Sequence, residues 1–138
     1  MEKERLLRYK DKLNLMQKRS QEIEEWTDLS STAFVKDEKT KLATYKAFQE
    51  LVEGCMDVIA MMCKDMNLVP KDDYTNIEEI SKQIHVNERV LQDANGLRNR
   101  VVHRYNKTDD ILAFQSIKEI VPDLVDILKV FEGWLNQT

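Results

Sequence analysis

Residues 98–105 read Arg-Asn-Arg-Val-Val-His-Arg-Tyr, which puts Arg98, Asn99, Arg100, His103, Arg104 and Tyr105 into eight consecutive positions. An imidazole titrates near neutrality and can take or give a proton, while a guanidinium offers a planar fork of donors that matches phosphate oxygens. Together these groups suit acid–base chemistry on a phosphodiester. His103 would take a proton from a ribose 2′-hydroxyl or return one to the leaving oxygen, and Arg98 would meet the charge that develops on the phosphorus oxygens. Arg100 and Arg104 add positive charge for an RNA strand. That scheme needs no metal or other cofactor. The second histidine, His85, lacks such company.

On an ideal helix each residue turns by about 100°, so with Arg98 at zero Asn99 falls near 100°, His103 near 140° and Tyr105 near −20°. Val90, Ala94, Leu97 and Val101 centre near −70° on the same wheel, again at about 100° per residue. Arg98 and Tyr105 therefore border the buried stripe while Asn99 and His103 look outward, an arrangement that suits a cleft or a seam between two copies. Asn99 and His103 are i,i+4 neighbours, so the amide can orient the imidazole as polar support. One histidine serves one proton transfer at a time, and a two-fold homodimer would supply both a base and an acid. The same spacing also fits a plain solvated face, with Tyr105 stacked on Arg98 through a cation–π contact.

The elements that carry this motif are helical by pattern. Leu6, Tyr9, Leu13, Met16 and Ile23 recur at helical spacing and predict a helix over Lys3–Trp26. Residues 27–32 are rich in capping and turn residues and predict a break, followed by a long central helix over 37–66 with a broad apolar stripe from Leu42 and Tyr45 to Met62. Residues 67–74, with Pro70, predict a loop, and Thr75 is placed to cap a short helix carrying Ile77, Ile80 and Ile84. A fourth long helix starts near Asn87 and runs into the motif. Gly96 inside it implies either a close backbone approach or local weakness. Thr108, Asp109 and Asp110 then cap a last helix with the most regular stripe in the chain, in which Pro122 predicts a kink. Four long helices and one short one make an all-α antiparallel bundle, a single domain spanning 1–138.

Composition agrees: 42% of residues are hydrophobic and 33% charged, with three glycines and two prolines among 138 residues. No run is long enough to span a membrane and the charged start does not resemble a signal peptide, so the expected location is the cytoplasm. Cys55 and Cys63 lie eight residues apart in one helix, about 12 Å of rise, and read as reduced core residues. The net charge of −4 argues against coating nucleic acid by bulk electrostatics. Any RNA contact must be local, as in the basic stretch over 89–107. Glu53 and Asp57 on the central helix can face the cleft, but carboxylates four apart are usually a solvated pair, and neither is given a role.

The string from Arg98 to Tyr105 resembles the signature of the HEPN superfamily, an arginine followed four to six residues later by histidine. With four residues between them and a tyrosine two positions on, it is similar to the HepT branch. That resemblance implies the toxin of a type VII-like HEPN/nucleotidyltransferase toxin–antitoxin system. Such a toxin is a metal-independent ribonuclease acting on RNA or tRNA as a homodimer, with Arg98 and His103 catalytic. It further implies a cognate minimal nucleotidyltransferase antitoxin that silences the toxin by transferring AMP to Tyr105. The alternative it leaves is a non-catalytic nucleotide-binding or scaffold partner of a nucleotidyltransferase.

Overall fold

In the computed structural model, described over residues 1–103 and 109–138, the chain forms six helices. They are α1 (Lys3–Trp26), α2 (Ser31–Lys36), α3 (Glu38–Asp65), α4 (Asp73–Gln83), α5 (Glu88–Val102) and α6 (Asp110–Asn136). Each of the long helices α1, α3, α5 and α6 packs on two of the others, α1 on α3 and α6, and α5 on α3 and α6, which closes a four-cornered antiparallel bundle. Ion pairs fix the register of α1 against α3: Arg5 with Asp65, Lys12 with Asp57 and Arg19 with Glu50, one helix ascending as the other descends. The core they enclose is apolar and closed to solvent, with Ile23, Phe48, Leu51, Ile59, Met62, Leu91, Ile117 and Leu124 fully buried. Gly54 on α3 lets α1 come close, since a Cβ there would lie 2.5 Å from the Met16 sulfur. Cys55 and Cys63 are both free and buried, and burial pushes the Cys55 thiol up to about 12, so it packs as an inert small hydrophobe.

The structure departs from the sequence pattern at several points. A sixth helix, α2, stands where a turn is expected: Ser30 caps it by accepting from the Ala33 N–H at 3.1 Å, and the fully buried Phe34 anchors it against Phe114, with ring centroids 4.7 Å apart. Asp72, not Thr75, caps α4, and Thr75 is instead the donor of that cap through its backbone N–H and its hydroxyl. Leu42 does not join the apolar stripe of α3 but stays 47% exposed. Pro122 lies inside α6, where the sequence places it; the ring is on the exposed face, where the carbonyl that loses its donor can bond water. Among the described residues no helix is long and apolar enough to cross a membrane.

The α3–α4 connection is tied more tightly than its loop composition suggests. At the end of α3, Asn67 takes a positive φ of 62°, Leu68 N–H donates to the Cys63 carbonyl and Asn67 N–H to that of Lys64. This is a Schellman stop, with asparagine tolerated where glycine is commoner. The buried Asn76 then holds the loop, accepting from Lys71 N–H at 2.7 Å and donating to the Lys71 carbonyl at 3.1 Å. Those bonds and the Asp72 cap fix the first turn of α4, and with it Asp73 and Tyr74, against α5.

Candidate functional site

Helix α5 positions the motif. Asn87 caps it by accepting from Val90 N–H, and Leu91, Ala94, Leu97 and Val101 bury its inner face. It ends at Val102, earlier than the spacing implies, so that His103 is its C-cap and donates its backbone N–H to the Asn99 carbonyl at 3.1 Å. His103, Asn99 and Arg100 are exposed, as the helical wheel requires. Asn99 meets His103 through that backbone carbonyl. Arg104 and Tyr105 lie outside the described residues.

Arg98 is held far more tightly than its neighbours. Its side chain is only 14% exposed and makes three hydrogen bonds among the described residues: Nη2 donates to Asn95 Oδ1 at 2.6 Å and to Asp73 Oδ2 at 3.4 Å, and Nη1 to Glu53 Oε1 at 3.3 Å. These partners come from α5, α4 and α3, so the guanidinium sits where three helices meet. They are not equivalent. Asn95 is 2% exposed and its bond is short, whereas both ion pairs are long and their carboxylate side chains 44% and 41% exposed. Stretched, solvated ion pairs contribute at most about 1 kcal/mol each and weaken with salt. The neutral amide therefore fixes the position of the guanidinium, while the two carboxylates balance its charge and can be exchanged for another anion. A guanidinium has five N–H donors and three are used. The Nε–H is closed to solvent and finds no acceptor among the described residues, a rare state for a buried donor.

Sequence spacing gives Glu53 no role and does not single out Asp73 or Asn95. Asn95 lies in plain sight one turn before Arg98, a polar residue next to the buried Ala94. The two carboxylates carry no local signal, because only the packing of α3 and α4 on α5 brings them to Arg98. Asp57 faces Lys12 instead, at 3.3 Å. No group of three or more His, Cys, Asp or Glu side chains among the described residues is placed to hold a metal ion.

The sequence model of the HepT-like ribonuclease family matches residues 16–131, from the middle of α1 to near the end of α6. Two proteins of Archaeoglobus fulgidus are each 33% identical to the chain, over 105 and 90 residues, which is 72% and 63% of this chain and 80% and 68% of theirs. A Methanocaldococcus jannaschii protein is 41% identical over 66 residues, 46% of this chain and 76% of its own. All three are provisionally named RNases. The chain belongs to the HepT-like ribonuclease family, a HEPN-type all-α fold.

If Asn95 is the anchor, Asn95→Leu should cost about 1–3 kcal/mol in urea unfolding, because a buried donor loses its acceptor. Glu53→Gln should change stability by less than about 1 kcal/mol, as expected for a half-exposed ion pair. The reverse order of costs would contradict the division of roles.

Proposed function

We propose that the chain is a metal-independent endoribonuclease that works as a homodimer, the toxin of a type VII-like HEPN/nucleotidyltransferase pair. One observation carries the reading: a nearly buried arginine, positioned by a neutral amide and with two donors unspent, precedes by five residues an exposed histidine at the end of the same helix. Family membership supports it, as do the relatives named as RNases.

In this reading the 2′-hydroxyl of a ribose gives its proton to one His103, and its oxygen attacks the adjacent phosphorus. The bond from phosphorus to the 5′-oxygen breaks, and the departing oxygen takes a proton from a second His103, leaving a 2′,3′-cyclic phosphate and a 5′-hydroxyl. Arg98 holds the non-bridging oxygens, which displace Glu53 and Asp73 from it. Phosphate is the better partner because it accepts two charge-assisted bonds in the plane of the fork. Arg100 and Arg104 guide the strand. A second copy is needed because residues five apart on a helix are turned by about 140°, so the two side chains of one chain diverge. Exposed Val102, Ile111 and Leu112 at the same end of the bundle supply apolar surface for that pairing. A cognate minimal nucleotidyltransferase would silence the enzyme by moving AMP from ATP onto Tyr105: the tyrosine oxygen bonds the α-phosphorus, its proton is lost and pyrophosphate leaves, and the added phosphodiester charge would compete for Arg98.

A second reading draws on the ion pairs themselves: Arg98 as a clamp of α3, α4 and α5 in a non-catalytic nucleotide-binding or scaffold partner of a nucleotidyltransferase. Purified chain and its His103→Ala variant separate the two. The nuclease reading expects RNA cleavage that falls by about 100-fold or more in the variant, the usual contribution of a positioned acid or base; equal behaviour of both proteins leaves the scaffold. For the switch, incubation with the partner and ATP should add the mass of one AMP to the wild type and none to Tyr105→Phe. A persisting addition in that variant would move the modification elsewhere.

A further inference from the structure

Gly96 does not mark the close backbone approach that its place in a helix suggests. A Cβ built there would meet only the Arg100 Nη1 at 3.5 Å and the Tyr74 hydroxyl at 3.7 Å, ordinary contact distances. The glycine instead leaves a notch in the outer face of α5, bordered by the Tyr74 hydroxyl from α4 and the Arg100 guanidinium from α5 itself. Tyr74 is 45% exposed. A tyrosine that open to solvent, outside the core, can offer ring surface for stacking. The notch opens into a groove of about 400 Å³ between α5 and α6, with Leu97 and Ile120 along its floor and Asp93, Glu119 and Asp123 at its rim.

Position ties this groove to the motif. Gly96, Arg100 and His103 stand at i, i+4 and i+7 and share one face of α5. About 10 Å of helix rise separates the notch from His103, a distance that a nucleotide spans from base to phosphate.

We infer that the notch is a base subsite, in which a nucleobase of single-stranded RNA stacks on Tyr74 over Gly96, with its backbone running toward Arg100 and His103. The inference rests on the nuclease reading for its substrate and adds to it where the strand lies and which bases it favours. Electrostatics orient the strand. Three carboxylates at the groove rim repel phosphate, so the backbone stays on the side of Arg100, while the same carboxylates accept hydrogen bonds from the amino groups of a base edge. Aromatic and guanidinium planes together are a usual platform for unpaired bases. Bases that carry an exocyclic amino group are therefore preferred to uracil.

The test uses fluorescent 2′-O-methyl oligonucleotides, which lack the attacking hydroxyl and stay intact, so that binding is read apart from cleavage. The wild-type chain should bind an oligocytidine octamer more tightly than an oligouridine octamer by about fivefold or more, the low end of base-edge discrimination. Tyr74→Ala should weaken the oligocytidine complex by about tenfold, as losing one stacked base does, and Tyr74→Phe should recover it. Gly96→Leu, which fills the notch with a better helix former, should weaken binding as Tyr74→Ala does while keeping the wild-type helical circular dichroism. Wild-type affinity in both Tyr74→Ala and Gly96→Leu, or no binding by the wild type, overturns the subsite. Equal affinity for the two octamers overturns selection by the acidic rim. Cleavage of unmodified RNA is scored separately: binding through Tyr74 without cleavage supports the subsite and defeats the nuclease reading, whereas cleavage indifferent to Tyr74 does the opposite.

Discussion

The guanidinium of Arg98 sits where α3, α4 and α5 converge, and its environment sets what the rest of the molecule can do. Burying an arginine without partners is costly, and burying it with two close carboxylates would neutralise it for good. Here the short bond goes to a neutral amide, Asn95, while Glu53 and Asp73 stay long and half-exposed. The cation is thereby fixed in place without being spent. A charge held in a partly dehydrated position acts on an incoming anion more strongly than one in open water, and no reorganisation is needed when the anion arrives.

Much of the remaining fold serves that point. Glu53 requires α3 to be long and central. Asp73 requires α4 to start where it does, which in turn needs the Asn67 stop, the Asn76 ties to Lys71 and the Asp72 cap. The Asp72 carboxyl is held below the usual carboxylate range by accepting from the backbone and side chain of Thr75. The cap is therefore at full strength above the ordinary carboxylate pKa and is lost only as pH falls through the lowered value. The antiparallel ring of α1, α3, α5 and α6 supplies the rigid wall behind α5, and His103 caps its open end.

How far the sequence discloses this depends on the kind of interaction. Periodic burial is local, so α1 is legible to the residue, α3 to within one residue at each end and the starts of α5 and α6 to about one residue, whereas α5 stops at Val102, inside the motif that the spacing carries to Tyr105. Capping is nearly local, which is why Asp109 is legible within the cap of α6, yet Asp72 and Thr75 trade places: both are good caps, and only the backbone decides which accepts. The short helix α2 escapes because its stability comes from Phe34 packing on Phe114 and not from any repeat. At the site, Arg98 and His103 stand out by residue type. Glu53, Asp73 and Tyr74 do not, since what gives them meaning is a tertiary contact between segments 20 or more residues apart. Asn99 draws attention by spacing and Asn95 by none, although the buried one of the two does the positioning.

The Nε–H of Arg98 offers the most direct measurement. It is enclosed and without an acceptor among the described residues of the free chain, so it should appear in a nitrogen-15 correlation spectrum as a resolved, slowly exchanging arginine resonance, identified by its loss in Arg98→Lys. On saturation with a 2′-O-methyl RNA octamer the resonance should shift as phosphate takes the place of Glu53 and Asp73. A resonance that stays unmoved while the octamer is bound would show that Arg98 only clamps the helices and never meets the substrate.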